Sequence, residues 1–188
     1  MDKPRMEDLS PMMQQYMAVK NQHKDALVFF RLGDFYEMFF DDAVTASREL
    51  ELTLTGRDCG LPERAPMCGV PYHSCEGYIA RLIKKGYKVA ICEQMENPAT
   101  AKGMVRREVI RIVTPGTLIE SNLLDEGAHN YIGSLYRGEG GFGAAFADIS
   151  TGQVQVTQLE ESEAALINEL GRFDPKEVLF NQELLDCK

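Results

Sequence analysis

The chain lacks several features, and each absence narrows its chemistry. No apolar run approaches the roughly 20 residues needed to span a bilayer. There is no G-x-x-x-x-G-K-[ST] and not even a Gly-Lys dipeptide, so these residues contain no phosphate loop for ATP. The five cysteines, Cys59, Cys68, Cys75, Cys92 and Cys187, are odd in number and form no C-x-x-C pair. Met1 to Arg5 leads into polar sequence rather than an apolar leader. Reduced thiols in a cytosolic protein are the simplest reading. Cys68, His73 and Cys75 stand close together, but the fourth ligand and the usual spacing of a zinc site are missing.

Positive charge is also short. The formal net charge is −9, which by itself argues against a nucleic-acid partner. Its distribution changes that conclusion. Up to Pro115 there are 16 Lys and Arg against 16 Asp and Glu, whereas from Gly116 onward there are 4 against 13. The first part is therefore balanced. It carries local basic groups at Arg81, Lys84, Lys85 and Lys88, then at Arg106, Arg107 and Arg111. DNA remains open as a partner of the first part and is disfavoured for the second. With 44% apolar and 26% charged residues, the 188-residue chain can bury a core in one or two domains.

Ser10-Pro11 opens a helix that runs to about Gln22. Ala26 to Leu32 reads as a buried strand ending at Gly33. A second helix is expected from about Phe35 to Leu50, with Tyr36, Phe39, Phe40, Ala43, Ser47 and Leu50 on its apolar face. Leu52 to Thr55 is a candidate strand, Gly56 to Ala65 a polar loop, and Pro66 to His73 a turn-rich segment. Ser74 starts a helix closed by Gly86. Strands follow at Tyr87 to Gln94 and Val105 to Val113. This alternation predicts a mixed α/β sheet. Thr114-Pro115-Gly116 marks a boundary, giving units at 1–115 and 129–188 with a linker over 116–128. The second unit shows strands at Asn130 to Tyr136, Phe142 to Ile149 and Gln153 to Leu159, a helix from Ser162 to Gly171, and a strand at Glu177 to Phe180. It is short, and the domain is expected to continue beyond Lys188.

The turn Gly33-Asp34-Phe35-Tyr36-Glu37 is the most informative segment. With Asp34 as an N-cap, Glu37 completes a capping-box pattern, which accounts for it without any ligand. Phe35 falls well off the centre of the apolar stripe. It is either a satellite core residue or an exposed aromatic beside a carboxylate. An exposed Phe suits a wedge between base steps, where unstacking costs a few kcal/mol and least at a mispair. The carboxylate fits DNA only if it meets a base edge rather than a phosphate.

Gly33-Asp-Phe-Tyr-Glu-Met-Phe-Phe-Asp-Asp42 resembles the Phe-x-Glu mismatch-recognition motif of the MutS family of mismatch-repair proteins. Further segments agree in order: Ser10-Pro-Met-Met-Gln-Gln-Tyr16, Met67-Cys-Gly-Val-Pro-Tyr-His73, Val89-Ala-Ile-Cys-Glu-Gln94, Arg111-Ile-Val-Thr-Pro-Gly-Thr117 and Asp148-Ile-Ser-Thr-Gly152. The resemblance implies a mixed-sheet mismatch-recognition domain followed by the first part of a ribonuclease-H-like connector domain without nuclease function. It implies that Phe35 stacks on the mispaired base and Glu37 hydrogen-bonds it. Gly33, Asp34, Met67, Pro71 and His73 would be DNA-contacting or supporting residues, with Met67 to His73 near the minor groove; Arg106 and Arg107 are candidates for the DNA backbone by their charge, with a solvated basic pair as the alternative. For the full-length protein it implies a homodimer on mismatched duplex DNA, ATP and Mg²⁺ bound beyond residue 188, a MutL-type partner, and a bacterial cytoplasmic, nucleoid-associated location. The Phe-x-Glu pair favours repair over the meiotic members of the family.

Two other motifs carry less. Gly138-Glu-Gly-Gly-Phe-Gly143 matches G-x-G-x-x-G, but a strand pattern follows it where a dinucleotide site needs a helix, so a glycine-rich hairpin is expected. Asp34, Glu37, Asp41 and Asp42, or Asp148 on its strand, leave a metal-dependent nuclease as the alternative function. A protein-interaction module, with the acidic part docking a partner, is the third.

Overall fold

A computed structural model of the chain describes residues 5–97, 100–101, 103–118 and 129–185. The fold is α/β with two mixed sheets, in two compact units, Met1–Val113 and Thr114–Lys188. Among the described residues no helix is long and apolar enough to cross a membrane.

The first unit is built on a six-stranded sheet of order β3-β4-β2-β1-β5-β6. The strands are β1 (Ala26–Leu32), β2 (Phe35–Phe39), β3 (Thr55–Arg57), β4 (Ala65–Pro71), β5 (Lys88–Gln94) and β6 (Arg107–Val113). Only β1 and β5 are parallel; the other pairs are antiparallel. Three helices accompany them: α1 (Pro11–Gln22), α2 (Phe40–Leu50) and α3 (Cys75–Lys84). α1 starts with Pro11 at its first position, as expected, and α3 is followed by Gly86 at φ 84°.

The segment 35–39 is a strand, which corrects the expected helix from Phe35. Four of its five residues are aromatic or long apolar, and such side chains favour a pleated surface. Pairing with β1 and β4 then decides the conformation. β1 and β2 form a hairpin whose loop is only Gly33 and Asp34, closed by Leu32 opposite Phe35. Gly33 adopts φ 58°, the left-handed conformation that a two-residue hairpin asks of its glycine. At the other end Phe40 sits at φ 52°, an uncommon value for a bulky residue, and turns the strand into α2. The acids at the helix start are therefore Asp41 and Asp42, and the capping roles expected for Asp34 and Glu37 do not arise. Pro66 to His73 is likewise mostly strand, and the strand expected at Leu52 to Thr55 lies at Thr55–Arg57.

α1 covers one face of this sheet. Tyr16, Met13, Val28, Phe30, Phe39, Ala90 and Cys92 form its core there. Tyr16 packs edge-on against Phe30 and Phe39, and its hydroxyl donates to Asp42 at 2.8 Å. Asp42 is buried, accepts from the Val28 amide at 3.0 Å, and pairs with Lys20 at 2.8 Å. This one carboxylate ties α1, β1 and α2 together. α2 lies on the opposite face, where the buried Cys68 thiol donates to the Ala43 carbonyl at 3.4 Å. Burial pushes the Cys68 thiol up to about 11 and the Cys92 thiol up to about 12, so both stay protonated. Cys187 lies outside the described residues.

The second unit has a four-stranded sheet of order β10-β7-β8-β9. β7 (Tyr131–Gly138), β8 (Gly141–Asp148) and β9 (Gln153–Leu159) form the expected meander; α4 (Glu163–Phe173) crosses to β10 (Glu177–Phe180), parallel to β7. A last short helix, α5, spans Gln182–Leu185. Phe173 of α4 stacks on Phe146 at 4.1 Å over a core of Tyr131, Leu135, Phe142 and Ala144. The glycine-rich motif is the β7–β8 hairpin. A Cβ on Gly141 would stand 2.2 Å from the Leu159 carbonyl, so close strand approach explains that glycine. Of the expected linker over 116–128, Gly116 and Thr117 belong to a 3-10 turn, Pro115–Thr117, within this unit, and residues 119–128 lie outside the described ones.

Candidate nucleic-acid interface

Side chains alternate across a strand, so the register fixes which residues share a face. Glu37 lies opposite Gly69 and Phe35 opposite Pro71 on β4, while Met67 opposes both Phe39 and Thr55. Leu32 and Phe30 of β1 oppose Phe35 and Glu37 on the other side. Phe35, Glu37, Met67, Gly69, Pro71 and Arg57 thus share the face that α1 covers farther along the strands. Phe35 is 46% exposed, beyond the covered part. The expected exposed aromatic is present, but its exposure follows from strand alternation at a hairpin end, not from helix geometry.

Glu37 is partly buried and makes a hydrogen-bonded ion pair with Arg57 of β3. β4 runs between their two strands, and because Arg57 lies opposite Ala65 and Glu37 opposite Gly69, the side chains reach obliquely across it. Gly69, opposite Glu37, leaves room for the Glu37 side chain over β4. A Cβ there would stand 3.2 Å from the Tyr36 carbonyl and 3.4 Å from the Glu37 Cγ. Met67 closes the inner end of this floor, packed against the α1 core.

The hairpin tip carries the remaining nearby residues. The Asp34 carbonyl accepts from the Tyr72 amide at 2.9 Å. Tyr72 and His73 form a short 3-10 turn after β4, their rings edge to face at 5.7 Å. His73 is exposed beside the tip. Behind the sheet, Glu93 of β5 accepts from the Tyr36 hydroxyl and pairs with Arg31 at 3.3 Å. Burial, then the bond to Glu93, pushes the Tyr36 phenol far above its ordinary value, so it remains a donor.

The two adjacent arginines diverge. Arg106 is exposed and pairs with Glu108 at 3.4 Å. Arg107 is buried: it donates to the Arg31 carbonyl at 2.7 Å and to Gln15 at 2.9 Å, and covers the Phe30 ring at 5.1 Å. These bonds tie β6 to β1 and α1. Of the helix-end basic group, Arg81 donates to the Leu50 carbonyl and Lys85 to the Glu49 carbonyl, closing the C-terminus of α2; Lys88 pairs with Asp25.

Glu37 and Asp41 do not share a helix face, because Glu37 is on β2. Asp148 is buried, and one of its oxygens accepts from Ser150 Oγ at 2.6 Å while the other meets His129 Nδ1 at 3.0 Å. Burial alone would raise this carboxyl; the bonds from Ser150, His129 and the backbone outweigh it and hold the group at about 2. Among the described residues no three His, Cys, Asp or Glu are placed to share a metal ion.

Arg57, Gly69, Arg31 and Tyr72 were not singled out from the sequence. Arg57 falls in a stretch that reads as polar loop, and its partner is 20 residues away on a strand that is not its neighbour.

Two family models match this chain: MutS domain I over residues 10–122 and MutS domain II over residues 130–188. The chain belongs to the MutS family. It is 59% identical over 177 residues to the DNA mismatch repair protein MutS of Alkaliphilus oremlandii, covering 93% of this chain and 20% of that protein. Against the protein of the same name from Acetivibrio thermocellus it is 58% identical over 180 residues, covering 95% and 21%. With that of Clostridioides difficile the figures are 56% over 176 residues, 94% and 18%. The chain thus spans about a fifth of the length of these MutS relatives. Phe35, Glu37 and the β4 floor all lie within the MutS domain I match.

Proposed function

We propose that this chain reads mispaired and unpaired bases in duplex DNA, as the N-terminal part of a larger mismatch-repair protein. The observation that carries the reading is the exposed Phe35 beside the ion-paired Glu37 on one sheet face. Phe35 enters from the minor groove and stacks where a base is mispaired. Unstacking costs a few kcal/mol at a paired step and less at a mispair, so the wedge discriminates by deformability. Glu37 then tests the base edge by hydrogen bonding. Arg57 balances its charge while the site approaches the phosphates. Pro71 and Met67 wall the site. Gly33, Asp34 and His73 lie toward the groove, and the exposed Arg106 meets the DNA backbone.

The rest of the reading concerns the full-length protein: a homodimer that binds ATP and Mg²⁺, works with a MutL-type partner, and acts in the bacterial cytoplasm at the nucleoid. No residue of this chain is assigned to ATP or Mg²⁺. The name of the relatives, DNA mismatch repair protein MutS, supports the repair role.

The test is a titration of the full-length protein at low salt with a G·T or unpaired-T duplex and its matched control. Phe35→Ala should abolish the preference for the mismatch. A Phe35→Ala protein that still discriminates overturns the reading. Cleavage of labelled duplex with millimolar Mg²⁺ or Mn²⁺ would instead support the nuclease alternative.

A further inference from the structure

A wedge works only if its backbone does not give way. In this fold both turn carbonyls of the Phe35 hairpin are bound, one by a side chain from the face opposite Phe35 and one by a backbone amide. Arg31 donates from Nε to the Gly33 carbonyl at 2.6 Å. The Tyr72 amide donates to the Asp34 carbonyl at 2.9 Å. The same Arg31 guanidinium lies over the Tyr72 ring, its central carbon 3.6 Å from the centroid, and its Nη1 pairs with Glu93 of β5 at 3.3 Å. Glu93 also receives the Tyr36 hydroxyl, from the residue next to Phe35. The Arg31 and Glu93 side chains are only 15% and 24% exposed, so this ion pair is partly shielded from solvent.

We infer that Arg31, stacked on Tyr72, is a positioning residue that braces the β1–β2 hairpin and fixes how far Phe35 projects into the duplex. The inference rests on the reading of Phe35 given above. An unbraced two-residue hairpin tip would spend binding energy on its own ordering when Phe35 inserts; a tip tied at both carbonyls has paid that cost on folding. The chemistry selects arginine. A planar guanidinium stacks on a ring while its edge donates in two directions, to a carbonyl and to a carboxylate. A lysine ammonium keeps the charge opposite Glu93 but cannot do all three.

The test uses the full-length protein with Arg31→Lys, Tyr72→Ala and Phe35→Ala in parallel. For each, the affinities for a G·T duplex and its matched control are measured, with hydrogen exchange at the amides of residues 34–36 and 72. Arg31→Lys and Tyr72→Ala are expected to lower the mismatch preference about tenfold, leave matched-duplex affinity within about twofold, and speed exchange at the tip but not in β5. If Arg31→Lys impairs folding, Tyr72→Ala decides, since that ring is 42% exposed. Retention of the mismatch preference in both variants, while Phe35→Ala loses it, overturns the brace and leaves the Phe35 reading standing. Equal loss of matched and mismatched binding also overturns the brace. If Phe35→Ala keeps its preference, the reading of Phe35 fails and the brace with it.

Discussion

Glu37 and Arg57 meet over a strand that belongs to neither: on β4, Glu37 lies opposite Gly69 and Arg57 opposite Ala65. The pair explains how a carboxylate can sit on a face proposed to approach phosphates. Arg57→Gln should therefore leave Glu37 uncompensated and weaken binding to matched and mismatched duplex alike, by several-fold at low salt. The stability cost should stay below about 1 kcal/mol, because the arginine is partly exposed. Glu37→Gln removes the repulsion instead and should strengthen matched binding, narrowing discrimination. Titrations over a salt series check both. No change in matched affinity for either variant would mean that the pair does not face the DNA backbone.

Gly69 makes a second, steric prediction. A Cβ at this position meets the Tyr36 carbonyl and the Glu37 side chain at close range. Gly69→Val should displace Glu37 and cut mismatch preference about fivefold, since recognition groups tolerate only about half an ångström of misplacement. β2 and β4 should keep their pairing, so the circular dichroism spectrum should be unchanged. Full mismatch preference in the Val variant would show that Glu37 does not need this floor.

Asp42 holds the first unit together. Removing a buried ionic partner leaves its counterion and donors unsatisfied. Asp42→Ala should cost about 3 kcal/mol in urea unfolding of the 188-residue chain, through Lys20, Tyr16 and the Val28 amide. A cost under about 1 kcal/mol would show that Lys20 and Tyr16 find other partners.

Asp148 gives a pH signature to the second unit. Its folded carboxyl is held at about 2, below the ordinary value of about 3.9 for an unfolded aspartate. A depressed carboxyl stabilises the fold fully above the unfolded value, and that contribution fades as pH falls through about 2. Asp148→Asn should thus lower stability at pH 7 and flatten its fall between about pH 4 and 2. Hydrogen exchange in β7 and β8 across that range reads it. An unchanged acid profile would show that the carboxylate contributes nothing there.

Much of this architecture is legible in the sequence because local pattern and tertiary structure agree. Pro11 sets α1, Ala26 to Leu32 is apolar enough to be a buried strand, and the acidic meander alternates cleanly. The misread element is the one at the site. Phe35 to Leu50 carries a helical apolar period, but its first five residues pair as a central strand between β1 and β4. The local signals for it, the two-residue Gly33-Asp34 loop and the aromatic run after it, are outweighed in the sequence by the helical period that continues to Leu50. The error moved Glu37 onto a helix and hid Arg57, whose partner is two strands away. Arg107 was likewise grouped with Arg106 as a basic pair, although strand alternation sends the two to different environments, one exposed and one beneath Phe30.

The central claim is that Phe35 stacks on the mispaired base. The most direct measurement places 5-iodouracil in the mispair of a duplex, irradiates the complex with the full-length protein, and maps the adduct by mass spectrometry. The account predicts an adduct on Phe35, abundant with the mispaired duplex and scarce when the same base is paired with adenine. An adduct elsewhere in the chain, or equal yields from paired and mispaired duplex, would contradict it.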